Sequence, residues 1–128
     1  MDTLGIDIGG VIIDRFNDDT DTSFFGDNFL ATTAVPEAFD TIAELVSHKF
    51  GKHIWLVSKC DPRIQQRTLE WLTHHRFYER TGLPHGNVCF CLRRYEKATI
   101  CHRLGITHFI DDRLEVLVDR EERGLGVE

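Results

Sequence analysis

Four short apolar runs punctuate the chain: Leu4–Ile8, Ile54–Val57, Val88–Leu92 and His108–Ile110. Each is nearly continuous in apolar residues rather than alternating, the pattern of strands covered on both faces of a parallel sheet. Longer stretches between them carry the helical period. After Pro36, the residues Phe39, Ile42, Ala43, Val46 and Phe50 fall on one face, and Gly51 supplies a stop. Asp61-Pro62 makes an N-cap and first-turn pair for a second helix, whose Ile64, Thr68, Trp71, Leu72 and His75 share a face. A third helix is predicted from Tyr95 to Leu104, closed by Gly105, and a fourth from Arg113 to Glu122, closed by Gly124. Strand and helix alternate throughout. The expectation is an α/β, three-layer Rossmann-like domain, a parallel sheet with helices on both faces and right-handed crossovers.

Two segments fall outside the alternation. Asp14 to Ala34 is polar but embeds Phe24, Phe25, Phe29 and Leu30. It is too short to be a domain, so it reads as a loop or small hairpin flap, over residues 14–35, lying across the carboxyl edge of the sheet. Phe77 to Asn87 contains Gly82-Leu83-Pro84 and Gly86-Asn87 and reads as a turn-rich connection. A length of 128 residues predicts one domain spanning 1–128 with a single substantial core.

Composition changes this picture little: 41% hydrophobic and 28% charged residues are ordinary for a globular protein. The net charge of −6 argues against holding nucleic acid through its backbone, which requires a basic face. A phosphorylated small molecule is not excluded, because it needs only a local cationic site. Cys60, Cys89, Cys91 and Cys101 form no CxxC pair and read as reduced, mostly buried thiols of an intracellular protein. Strand alternation alone would put Cys89 and Cys91 on one face. The first apolar run is broken by Asp7, so no signal peptide is expected, no run approaches membrane-spanning length, and cytoplasm is the expected location.

The candidate chemistry sits where the strands end. The first run delivers Asp7 into the turn Gly9-Gly10, the second ends at Ser58 and Lys59, and the fourth runs into Asp111-Asp112. Arg93, Arg94 and Lys97 follow the third at a helix start. In a parallel sheet these positions lie along one edge, the carboxyl ends of the strands, where open α/β folds bind ligands. Singly, Ser58 could be a local hydrogen-bonding residue, Lys97 a solvated helix charge, and Asp111-Asp112 a helix cap. Their order along one edge favours a shared site.

This order resembles the haloacid dehalogenase-like hydrolase superfamily, most of whose members are magnesium-dependent phosphatases. Asp7-Ile8-Gly9-Gly10-Val11 is similar to the family's first motif, WLVS ending at Ser58 to the second, Lys97 to the third and HFIDD to the fourth, with Glu115 as a further acidic position. The resemblance implies that Asp7 is a nucleophile forming an aspartyl-phosphate. It implies Mg²⁺ held by Asp7, the Gly9 carbonyl, Asp111 and Asp112. Ser58 would bind a phosphoryl oxygen together with Lys59, Gly9, Gly10 and Arg93, and Lys97 would neutralise charge on the nucleophile and the transferring group. The stretches between motifs leave no room for a cap domain. An uncapped site favours a bulky phosphorylated substrate, or a homo-oligomer whose subunit interface closes it. The opening LGIDIGG is also similar to sugar kinases of the actin-like fold, but those need a second domain and lack the later lysine and paired aspartates.

One position departs from the phosphatase pattern. Where the family carries a second aspartate to protonate the leaving group, this chain has Gly9. General acid–base assistance contributes about 10²–10⁴ in rate. Three expectations follow: a substrate with a good leaving group such as an acyl phosphate, a substitute acid among Asp14, Asp18, Asp19 and Glu96, or a phosphate-binding domain without efficient turnover.

Overall fold

A computed structural model describes residues 1–15 and 24–112 of the chain. Four strands, β1 (Leu4–Ile6), β2 (Ile54–Lys59), β3 (Val88–Cys91) and β4 (His108–Ile110), form one sheet in the order β3-β2-β1-β4. All three pairings are parallel, with Ile6 opposite both Leu56 and Ile110, and Ser58 opposite Phe90. The helices are α1 (Ala38–Leu45), continued by a π-helical turn over Val46–Phe50, then α2 (Pro62–His74), α3 (Phe77–Thr81) and α4 (Arg94–Leu104).

Side-chain alternation divides the core in two. Leu4, Ile6, Ile54 and Leu56 point to one face, where they pack with Phe39 and Ile42 of α1, Trp71 and Leu72 of α2, and Phe77 of α3. Val57, Cys91 and Phe109 point to the other and pack with Ile100 and Cys101 of α4. The sheet therefore carries helices on both faces. Handedness accounts for the division. The crossovers through α1 and through α2–α3 both move the chain from β1 towards β3 and share a side. The crossover through α4 returns past β2 and β1 to β4, so a right-handed path puts it on the opposite side. The strand order thus reverses at β1, and the crevice between β1 and β4 is the topological switch point of the sheet.

Local signals explain most elements. The Asp61 carboxylate accepts a hydrogen bond from the Ile64 N–H at 2.9 Å, and Pro62 follows as the first helical residue. Gly51 and Gly105 close the helices before them with positive φ. One expectation is corrected: the connection from Phe77 begins with α3, a single helical turn. It has no side-chain cap, and Arg76 enters it in a left-handed conformation. What holds it is tertiary, the Phe77 and Phe39 rings packing edge to face with their centres 5.1 Å apart. The first strand is also shorter than expected and releases Asp7 and Ile8 into the turn that follows. The predicted fourth helix lies outside the described residues, as does Glu115.

The segment after the first strand returns on itself. Its stem is closed by Asp14 N–H to Thr33 carbonyl at 3.0 Å and Val35 N–H to Ile12 carbonyl at 2.8 Å. Its described tip lies along α2 and is held there by three side chains spaced four residues apart. Arg67 donates to the carbonyls of Phe24 and Gly26 at 3.0 and 2.8 Å, with its guanidinium 4.8 Å from the Phe29 ring centre. Trp71 donates to the Thr32 carbonyl at 3.0 Å, and His75 Nε2 lies 2.7 Å from the Leu30 carbonyl while its ring stacks on Trp71. Burial, with the nearby His74 and Arg80 charges, pushes the His75 imidazole below its ordinary range, while the Leu30 carbonyl opposes the shift. The neutral ring with hydrogen on Nε2 suits that contact. Arg67→Met keeps most of the stem's bulk but removes both hydrogen bonds. It is expected to cost about 1–3 kcal/mol in urea unfolding and to speed proteolytic cleavage within the flap before global unfolding.

Candidate functional site

At the carboxyl end of β1 the chain turns sharply. The Ile8 carbonyl accepts from the N–H groups of Val11, Ile12 and Ile13, at 3.2, 2.8 and 3.1 Å. Asp7 is thereby held at the strand end, with its N–H donating to the Ile110 carbonyl of β4 at 3.0 Å and its Oδ1 accepting from the Ile8 N–H at 2.7 Å. Gly10 turns through φ +80°, and a Cβ there would come within 2.3 Å of the Asp112 carboxylate. Only glycine meets both demands, a left-handed backbone and close approach of an acidic side chain.

Lys97 reaches this point from the first turn of α4. Its ammonium lies 3.2 Å from Asp7 Oδ2 and 3.5 Å from Asp111 Oδ2, with side-chain exposures of 9%, 15% and 3% for Lys97, Asp7 and Asp111. Lysine is almost never this buried unless paired, so its location is set by the two carboxylates. The ammonium also rests 4.8 Å from the centre of the Phe109 ring. That ring occupies the space above Gly5, where a Cβ would meet it at 2.5 Å. A glycine in β1 thus makes room for the phenylalanine of β4 that floors the lysine.

Asp7, Asp111 and Asp112 each present an oxygen within 4.8 Å of the others. Partial burial, a hydrogen bond shared with Asp111, and the charges of Asp111 and Asp7 push the Asp112 carboxyl above the ordinary carboxylate range, while Arg15 opposes the shift. Three carboxylates therefore cluster here, two on the buried Lys97 ammonium and the third 3.9 Å from the half-exposed Arg15, which leaves one negative charge in excess. An all-oxygen, carboxylate-rich set of this kind fits a hard divalent cation such as Mg²⁺.

A pocket of about 230 Å³ opens beside this cluster, lined by Gly9, Ser58, Lys59, Arg15 and the apolar side chains of Phe24 and Ile64 among others. Ser58 is buried and Lys59 exposed on its wall. Arg93 lies elsewhere: it is exposed at the start of α4 and is not part of the lining. Glu96 is committed to that same helix start, its Oε1 accepting from the N–H groups of Leu92 at 3.0 Å and Arg93 at 2.7 Å. Of the carboxylates nominated as substitute acids, Asp14 does line the pocket, and it accepts from the Thr33 hydroxyl at 3.4 Å. Asp18 and Asp19 lie outside the described residues. Cys60 also lines the pocket, but burial above all pushes its thiol up to about 11. It stays protonated at neutral pH, a poor state for a nucleophile. All four cysteines are free.

One residue of the site carries no signal at the level of motif. The Arg15 guanidinium lies over Gly9, so that a Cβ at position 9 would come within 2.5 Å of Nη2 and 2.8 Å of Nε. Nη1 is 3.9 Å from Asp112 Oδ2. The space in which a side chain at position 9 would begin is filled by a cation. No helix among the described residues is long and apolar enough to cross a membrane. No protein-family model matches the chain, and no curated protein matches it.

Proposed function

We propose that this chain is a magnesium-dependent phosphohydrolase of the haloacid dehalogenase-like type, working through an aspartyl-phosphate on Asp7. The observation that carries this reading is the buried Lys97 ammonium between Asp7 and Asp111 at the switch point of the sheet, with Asp112 alongside. Buried lysine held by two carboxylates at a ligand-binding edge gives Asp7 a charge environment that tolerates an incoming phosphate dianion. Mg²⁺, held by Asp7, Asp111 and Asp112 and, as the resemblance implies, by the Gly9 carbonyl, would supply charge neutralisation and orientation for the phosphate.

The chain's own residues then divide the work. Asp7 presents a carboxylate oxygen to phosphorus. Ser58, buried at the end of β2, offers a hydroxyl to a phosphoryl oxygen, and Lys59 adds a cation at the pocket wall. Lys97 holds Asp7 in place and remains to balance charge as the phosphoryl group transfers. Among the described residues, the β1–α1 connection supplies only the flap and the β2–β3 connection only α2 and α3, which supports a site without a cap domain. An open pocket suits a bulky phosphorylated substrate or closure by a second copy of the chain. A second reading, phosphate binding without turnover, is favoured by one feature, the absence of a carboxylate at position 9.

Turnover of an aryl phosphate with and without Mg²⁺ separates the two. Hydrolysis that depends on Mg²⁺ is expected. Mg²⁺ alone is also expected to raise Tm, by relieving the crowding of the three carboxylates, and Asp111→Asn should reduce that rise. No hydrolysis under any condition, together with a Tm rise on adding Mg²⁺ and phosphate, would establish the binding domain instead.

A further inference from the structure

We infer that Arg15 does the work at the leaving-group end of the site, stabilising the departing oxygen as an anion, and that the substrates are phosphate monoesters of acidic, aryl-type hydroxyls. This deepens the phosphohydrolase reading and rests on it. The geometry at Gly9 is what points there. A guanidinium covers the glycine so closely that no side chain could start from position 9 without displacing it. The same guanidinium faces the pocket that also contains Gly9 and Ser58. Its tie to Asp112, at 3.9 Å, is longer than a hydrogen bond, and its side chain is 54% exposed, so it has N–H groups to offer a ligand.

Arginine changes the chemistry that position can perform. A guanidinium has donors to offer but no proton to give up, so it is no general acid. It does donate hydrogen bonds and a full charge to an oxyanion. A leaving oxygen that departs without a proton must be acidic in its own right, which excludes simple alkyl alcohols and favours aryl-type hydroxyls. The rest of the pocket agrees, because Ile13, Phe24, Phe25 and Ile64 supply apolar surface for an aromatic body. Arg67, by fixing the carbonyls of Phe24 and Gly26, holds that wall in place.

The transfer balances as follows. An Asp7 oxygen bonds to phosphorus while the bond from phosphorus to the aryl oxygen breaks. The electron pair stays on that oxygen, which leaves as aryloxide beside Arg15. Water then adds to phosphorus of the aspartyl-phosphate, the Asp7 carboxylate leaves with its electron pair, and a water proton passes to a phosphoryl oxygen. Neither step requires an acid at position 9, since an aryloxide and a carboxylate are both stable as anions.

The test is a series of phosphate esters, nitrophenyl, phenyl and alkyl, hydrolysed with Mg²⁺ by the wild type and by Arg15→Met, Arg15→Lys and Asp14→Asn. Wild-type kcat/KM is expected to fall steeply from nitrophenyl to alkyl phosphate. Arg15→Met should lower it by about 10²-fold for the aryl esters and steepen the dependence on leaving-group acidity, with Arg15→Lys between the two. The Tm rise on adding Mg²⁺ and inorganic phosphate should survive in Arg15→Met, showing an intact fold and phosphate site. Active wild type with Arg15→Met unchanged in rate and slope overturns the role of Arg15 and leaves the phosphohydrolase reading standing. A steeper slope in Asp14→Asn, with none in Arg15→Met, overturns it in favour of Asp14 as the acid. Wild type that hydrolyses alkyl phosphates as readily as aryl ones overturns the substrate class. No turnover of any ester removes the phosphohydrolase reading, and this inference with it.

Discussion

Asp7→Asn is expected to remove Mg²⁺-dependent hydrolysis of an aryl phosphate almost completely, lowering kcat/KM by at least about 10³-fold, equivalent to about 4 kcal/mol of barrier. The amide that replaces the carboxylate is a poor nucleophile and a poor ligand for a hard cation, so both functions proposed for Asp7 should fail together. The fold should survive the change. Lys97 keeps Asp111 at 3.5 Å as its partner, the Asp7 N–H bond to the Ile110 carbonyl does not involve the side chain, and the asparagine amide oxygen can still accept from the Ile8 N–H. Steady-state kinetics measures the loss. Mass spectrometry of acid-quenched enzyme should find a phosphorylated peptide containing Asp7 in the wild type and none in Asp7→Asn. Hydrolysis that continues undiminished in the variant would end the enzyme assignment.

The second large effect is expected at Gly9. Installing the missing acid as Gly9→Asp does not act on an empty space, because the new Cβ meets the Arg15 guanidinium at 2.5 Å. The contact is with the tip of a flexible, half-exposed side chain, so the fold should accommodate it by moving Arg15. The new carboxylate would then pair with that guanidinium and be held ionised, a poor state for donating a proton. Gly9→Asp alone should therefore raise alkyl-phosphate hydrolysis only slightly. The double variant Gly9→Asp with Arg15→Met frees the acid, and the gain should approach the about 10²–10⁴-fold range of general acid catalysis. Its preference should move from aryl towards alkyl phosphates. A double variant no more active on alkyl phosphates than Gly9→Asp alone would show that Arg15 is not what separates position 9 from acid catalysis.

The tip of the flap shows where local reading stops. Arg67, Trp71 and His75 were legible only as one stripe of an amphipathic helix, and Arg67 not even as part of it. Their spacing of four residues puts them on one face whatever that face meets. That each bonds a carbonyl of the 24–32 segment depends on where a segment some forty residues away in sequence is laid down. The same holds for α3, whose five residues have a closing glycine, Gly82, but no side-chain N-cap, and which is anchored where Phe77 meets Phe39.

By itself the sequence determined the strands and three of the four helices, since apolar periodicity, the Asp61-Pro62 cap and the closing glycines act within a few residues. It also determined that Asp7, Ser58 and Asp111-Asp112 stand at strand ends, because strand ends follow from strands. Tertiary structure alone decided the order β3-β2-β1-β4, which sets the ends of β1 and β4 side by side, and through it the meeting of Asp7, Lys97 and Asp111. It alone decided that Gly9 is covered by Arg15. Position 9 read in sequence is a carboxylate missing from a pattern. In space it is a glycine beneath a guanidinium, because the chain turns back at Ile8–Ile13 and brings the cation of residue 15 over the residue it had just left.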